Sequence, residues 1–292
     1  EEKIPFDLEK FNFITKGGLP NKTLNIALAG TGVGKSLFMC HVASSCLLQG
    51  RNVLYITCEM AEEKIAERID ANLLDIPIQQ LQDPLLTKQK YRAKIDVLKK
   101  KTQGKLVIKE YPTASAHVGH FKALLNELSL KKGFHPEIIF VDYLNICASS
   151  RYKGTIVNSY TYVKAIAEEL RGLAGEYNVP ILSATQTTRS GYGNSNVEIT
   201  DTSESFGLPA TADLMFALIS TEDMEELNQI MVKQLKNRYN DPTVYKRFVL
   251  GIDRQKMRLY DCEQGAQDNI IDAGDTPQTF TDTKKSFDGF KI

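Results

Sequence analysis

The chain carries no excess of charge of either sign: 36 Lys and Arg stand against 36 Asp and Glu in 292 residues. A protein that coats duplex DNA over a broad surface is basic, so any nucleic-acid contact here is expected to be local, in a loop cluster or a pore. No stretch approaches the roughly 18 continuous apolar residues of a membrane span, and no leader of the secretory type opens the sequence. Five cysteines (Cys40, Cys46, Cys58, Cys147, Cys262) form no C-x-x-C pair. Most lie in apolar segments, which suits buried free thiols in a reducing cytoplasm. His117 and His120 fall on one expected helix, but two histidines alone make a poor zinc site. No internal repeat is found. The first residue is Glu1, which suggests a fragment or a processed form.

What is present is apolar content enough for one large core: 42% of the residues are hydrophobic,. Residues 1–22 are polar and irregular with two short apolar clusters, expected as a lead-in strap. Apolar runs at 23–28, 53–57, 106–109, 137–141, 179–184, 213–219 and 230–235 predict strands. Helical periodicity covers 36–48, 62–74, 87–101, 117–131 and 159–177, with Ile65, Ile69 and Leu73 on one face of the second,. Residues 247–253 and 256–261 predict a hairpin. Strand and helix alternate through most of 23–262, the pattern of an α/β fold with a mostly parallel twisted sheet and helices on both faces. Ligands of such sheets bind beyond the C-terminal strand ends, and the polar strand ends of this chain are all expected to fall there. Residues 263–292 are polar and expected to be a flexible tail.

Between the first strand and its helix, residues 29–36 read Ala-Gly-Thr-Gly-Val-Gly-Lys-Ser. The backbone of Gly30, Thr31, Gly32, Val33 and Gly34 can cradle phosphates. Lys35 can reach the β- and γ-phosphates, and the Ser36 hydroxyl can hold Mg²⁺. Leu37 continues the helix whose N-terminal dipole favours the anion. Ala29 takes the place of the usual first glycine. The chain is therefore expected to bind and spend a nucleoside triphosphate.

Three strand ends carry polar groups suited to that chemistry. Glu59 follows the run 53–58 and can activate the water that attacks the γ-phosphate; alternatively it caps the next helix. Asp142 follows Ile138-Ile139-Phe140-Val141, where a rigid strand can aim a carboxylate at the metal. Gln186 can sense the γ-phosphate, or bond its own turn. Lys236 and Arg238 follow a further apolar strand. They suit either a solvated basic turn or an arginine finger reaching a neighbouring subunit's nucleotide.

In this order the elements resemble the RecA-like motor of the DnaB-family hexameric replicative helicases, most closely their T-even bacteriophage members. The resemblance rests on the loop at 29–36 (with its Ala29), Asn52-Val53-Leu54-Tyr55-Ile56 followed by Glu59-Met60-Ala61-Glu62-Glu63, and Arg68-Ile69-Asp70-Ala71-Asn72. It continues through Val141-Asp142-Tyr143-Leu144, the stretch 163–171, and Glu204-Ser205 with 207–213. The resemblance implies a homo-hexameric ring that encloses single-stranded DNA and moves 5′ to 3′ on ATP or GTP with Mg²⁺. Glu59 is then the catalytic base, with Lys35 and Gln186 acting on the γ-phosphate, and Lys236 and Arg238 act in trans. DNA contacts are expected in loops 149–159 (Arg151, Lys153) and 187–206 (Arg189, Ser203, Glu204, Ser205). Ser203 and Phe206 stand where many relatives carry Arg and Gly. A primase and a helicase loader are the implied partners, in the host cytoplasm if the chain is phage-encoded. The N-terminal domain and linker helix of the family are expected to lie outside this chain. The rivals are a filament-forming recombinase and a nucleotide-gated scaffold that does not translocate.

Overall fold

The computed structural model describes residues 2–83, 88–101, 104–153, 157–186 and 207–263. The lead-in is not an irregular strap. It forms β1 (Lys3–Ile4), α1 (Glu9–Ile14) and β2 (Leu19–Pro20), with β1 and β2 paired antiparallel. Its apolar clusters are core: Phe6, Leu8, Phe11 and Ile14 are buried. The Phe11 ring meets Phe216 and Phe248 edge-on, with centroids 5.1 and 5.4 Å apart.

The alternating region follows as β3 (Leu24–Ala29), α2 (Lys35–Leu48), β4 (Val53–Thr57), α3 (Glu62–Leu74), α4 (Ile78–Leu81), α5 (Lys88–Lys101), β5 (Leu106–Glu110), α6 (Val118–Lys132), β6 (Ile138–Asp142), α7 (Ser159–Tyr177) and β7 (Ile181–Gln186). Then come α8 (Leu208–Thr211), β8 (Leu214–Ile219), α9 (Glu222–Glu226), β9 (Gln229–Asn237), β10 (Arg247–Asp253) and β11 (Arg258–Asp261). One sheet holds nine of these strands in the order β11-β10-β9-β8-β3-β7-β6-β4-β5. From β8 to β5 every pairing is parallel. Strands β3, β4, β6 and β8 are buried along their whole length, which is why they show as unbroken apolar runs and not as alternation.

Each face of the sheet packs its own core. One gathers α1, α2 and α3 around Phe38, Tyr55, Phe140 and Phe216; the other gathers α6 and α7 around Ile26, Phe121, Val141 and Leu170. Local chemistry ends the helices. Gly133, Asp75 and Asn178 take left-handed conformations after α6, α3 and α7,. His117 precedes α6 instead of lying in it: its Nδ1 accepts from the Gly119 amide, while His120 Nδ1 accepts from the His117 amide. The pair is a reciprocal cap. Among the described residues no helix is long and apolar enough to cross a membrane.

The last three strands run antiparallel. The segment 220–228 between β8 and β9 is too short for the crossover that a parallel strand needs. Strand β9 therefore turns back, pairing Met215 with Lys236 and Leu214 with Asn237. This reversal places its end at the edge of the sheet where the parallel strands begin.

Candidate nucleotide site and a basic cluster at the opposite edge

The loop joining β3 to α2 is shaped by two glycines. Gly32 and Gly34 have φ of +75° and +136°, which side-chain-bearing residues rarely adopt. Gly34 is the N-cap of α2 and no side chain caps the first turn, so the leading amides are available to an anion. The loop floors a cleft of about 340 Å³ whose walls include Lys35, Ser36, Glu59 and Gln186. All four residues expected there are brought together.

Lys35 is the hub. Its Nζ donates to Glu59 Oε2 and to Asp142 Oδ1, both at 2.7 Å, and lies 4.1 Å from the centre of the Tyr143 ring. Asp142 is fully buried, and three groups donate to it. Lys35 takes Oδ1, while Ser36 Oγ and Tyr55 OH each reach Oδ2 at 2.9 Å,. Tyr55 follows from the same geometry: burial first, then the Asp142 charge, pushes its hydroxyl well above the usual range, so it stays a donor. Burial with Asp142 behind it also pushes the Cys40 thiol up to about 12, which leaves that thiol protonated and inert. Gln186 Nε2 donates to Thr31 Oγ1 at 2.5 Å, so the third strand end touches the loop itself.

Ser36 Oγ and Asp142 Oδ2 are the hard oxygen donors for a cation here. Among the described residues no three His, Cys, Asp or Glu side chains gather as a metal cage. A hydroxyl and one carboxylate, completed by phosphate and water, is how proteins commonly hold Mg²⁺, and the donor set fits it.

Lys236 and Arg238 are not at this site. The reversal of β9 carries them to the far edge of the sheet. The six residues of β3 separate the two edges, on the order of 20 Å at the usual rise per residue. The expectation that every polar strand end lies beyond the C-terminal ends of the parallel strands is corrected here, because β9 is antiparallel. Arg238 Nη1 donates to Asp213 Oδ1 at 3.0 Å. Asp213, buried, also accepts from Arg171 Nη2 at 3.1 Å and from the Leu24 amide at 3.0 Å. Lys236 Nζ donates to the Pro209 carbonyl, and to Ala210 at 3.3 Å. Burial, then Arg238, lowers the Lys236 ammonium below its ordinary value. A cleft of about 430 Å³ opens beside the pair, lined by Arg151, Arg171, Glu168 and Arg238.

Of the expected DNA contacts, Arg151 therefore borders this basic cleft, ion-paired to Glu168 at 2.5 Å, and Lys153 is exposed. Arg189, Ser203, Glu204 and Ser205 lie outside the described residues, as do 264–292 of the expected tail. Sequence reasoning missed Tyr55, Arg171, Asp213 and Arg254. The first three fall within stretches quoted for the family resemblance, but a buried Tyr and an Arg–Asp pair carry no motif of their own. Arg254, in the β10–β11 turn, had no signal.

A phosphate loop ahead of a parallel sheet, an acid at each of two strand ends and an amide at a third define a RecA-like NTPase fold. Solved structures agree on that fold. A DnaB-like replicative helicase, studied with its interactions with primase, matches with a TM-score of 0.74 at 16% identity, covering 90% of this chain and 62% of that one. An ATPase domain matches at 0.75 and 16%, covering 90% and 92%. Residues 4–247 match the family described as DnaB-like helicase C terminal domain, and the chain belongs to it. It is similar to the DnaB-like replicative helicase of Enterobacteria phage T4, 46% identical over 263 residues, 90% of this chain and 55% of that protein. It is similar also to the replicative DNA helicase DnaB of Helicobacter pylori, 25% identical over 205 residues, 69% of this chain and 40% of that protein. The chain thus spans about half the length of the curated relatives it matches.

Proposed function

We propose that this chain is the motor of a replicative DNA helicase. It hydrolyses ATP or GTP with Mg²⁺, assembles head to tail as a hexameric ring around single-stranded DNA, and moves 5′ to 3′. The observation that carries the reading is the separation of the two charged sites. The phosphate loop, Glu59 and Asp142 occupy one edge of the sheet, and the Lys236/Arg238 pair occupies the other. One subunit cannot close its own site with that pair, whereas a heterologous interface sets one subunit's far edge against the next subunit's loop.

In this reading Lys35 spends two of its three N–H donors on Glu59 and Asp142 and keeps one for a phosphate oxygen,. Ser36 and Asp142 would hold Mg²⁺, which would neutralise charge developing on the phosphates. Glu59 is 41% exposed on its side chain, so a water can reach it, and it takes that water's proton. Gln186, bonded to Thr31, relays the presence of the γ-phosphate towards the loop after β7. Arg151, Lys153, Arg189 and the 203–205 segment serve the DNA backbone. A primase and a loader are the partners that membership of this family suggests.

Turnover of NTP with and without single-stranded DNA, with particle mass measured alongside, tests the proposal. DNA-stimulated hydrolysis by a six-subunit particle that displaces strands only from substrates with a 5′ tail is the expected result. Hydrolysis indifferent to DNA would favour a nucleotide-gated scaffold. An open filament on DNA, seen by electron microscopy, would favour a recombinase.

A further inference from the structure

Arg254 stands at the tip of the β10–β11 hairpin with its guanidinium against the phosphate loop. Nη1 is 3.5 Å from the Gly32 carbonyl oxygen, the outer limit of a hydrogen bond. A methyl-sized group at Gly34 would sit 3.7 Å from that Nη1 and equally from the tips of Ile230 and Ile252, so the cation and two apolar side chains all close on the loop at Gly34. Nη2 is closed off from solvent and has no hydrogen-bond partner. Among the described residues the Gly32 carbonyl is the one hydrogen-bond partner of the Arg254 side chain.

A charged nitrogen so enclosed and unpartnered costs free energy unless an anion answers it. The hairpin tip is not free to carry it away. Asp253 Oδ1 accepts from the Gln255 and Lys256 amides at 3.1 and 3.0 Å, and the Gln255 carbonyl accepts from the Ile78 amide at 2.8 Å. Arg254 also lines the same cleft as Lys35, Ser36 and Glu59. The polyanion that this loop cradles is the group in reach that carries the missing charge.

We propose that Arg254 is a second cation of the nucleotide site, donating to phosphate oxygens of a nucleoside di- or triphosphate held by its own subunit. The proposal rests on reading the cleft as an NTP site. It gives the hairpin tip, which lies beyond the residues 4–247 matched to the family, a direct hold on the nucleotide. This contact is in cis, in contrast to that of Arg238.

The test is binding of fluorescent ADP, a nonhydrolysable ATP analogue and AMP to the whole chain and to Arg254→Ala, Arg254→Lys and Lys35→Ala, with Tm measured without nucleotide. Arg254→Ala should weaken ADP and the ATP analogue by about 10-fold or more, the scale of a charge-assisted hydrogen bond. AMP should change less. Arg254→Lys should recover part of the loss, since charge is kept and the fork is not. Tm without nucleotide should hardly change, because the one hydrogen bond removed, to the Gly32 carbonyl, is at the outer limit of length and the unpartnered buried Nη2 goes with it. Unchanged affinity in Arg254→Ala while Lys35→Ala loses binding would overturn the proposal and leave the NTP site standing. A fall of several degrees in Tm, with affinity unchanged in the folded fraction, would make Arg254 a brace for Gly32 instead. Unchanged affinity in Lys35→Ala would remove the NTP reading itself.

Discussion

The charged centre of the molecule is three residues deep. Lys35, Glu59 and Asp142 come from the start of α2, the turn just after β4 and the end of the buried β6, and both acids meet the lysine at 2.7 Å. Each was visible in the sequence because its type is constrained: a Lys after a glycine loop, an acid ending an apolar run. Tyr55 was not, since nothing distinguishes a core tyrosine from one whose hydroxyl reaches Asp142. The roles separate experimentally. Glu59→Gln keeps size and hydrogen-bonding capacity but not basicity. Nucleotide affinity should persist while hydrolysis drops by roughly two to four orders of magnitude, the usual scale for a positioned base. Titration with a fluorescent analogue and single-turnover hydrolysis read the two effects apart. Turnover equal to that of the parent chain would leave Glu59 as a partner of Lys35 only.

Among the elements, α1 and β9 are where the sequence misled. The lead-in showed too few apolar residues for its periodicity to register, yet Phe11 is fully buried among Phe6, Phe38, Phe216 and Phe248. Its burial depends on partners more than 200 residues away in the chain, which no local pattern reports. Phe11→Ala should cost about 3–5 kcal/mol, the range for deleting a buried aromatic ring, measured as a fall in the denaturant midpoint at constant m-value. A change under 1 kcal/mol would mean that the lead-in is dispensable to the core. For β9 the apolar run 230–235 was correctly a strand, but a strand's direction is not written in its hydrophobicity. It follows from the shortness of 220–228, and that direction moves Lys236 and Arg238 from one edge of the sheet to the other.

At the scale of the whole molecule, the proposed ring would make a single chain half a catalytic unit, because the two edges lie so far apart. Subunit mixing tests this directly. Arg238→Ala and Glu59→Gln chains are each expected to be inactive alone. In mixed assemblies some interfaces pair an intact Glu59 with an intact Arg238, and hydrolysis should partly return. If mixed particles form and remain as inactive as their parents, the shared-site reading is wrong. The Asp213 carboxylate would give such a finger a fixed base. It is buried, bonded to the Leu24 amide and to Arg171, and it holds Arg238 Nη1 at 3.0 Å while Nη2 makes only a long contact of 3.4 Å to the Ala210 carbonyl.

The sequence by itself determined the α/β class, the phosphate loop and its strand-end acids, because those depend on local residue types held against strands whose burial shows as unbroken apolar runs. Only the tertiary structure decided that Tyr55 and Ser36 share Asp142, that Asp213 anchors Arg238 beside Arg151, and that Arg254 leans on Gly32. Those contacts join residues up to 222 positions apart. Strand order and direction bring them together, and a one-dimensional pattern of polarity specifies neither.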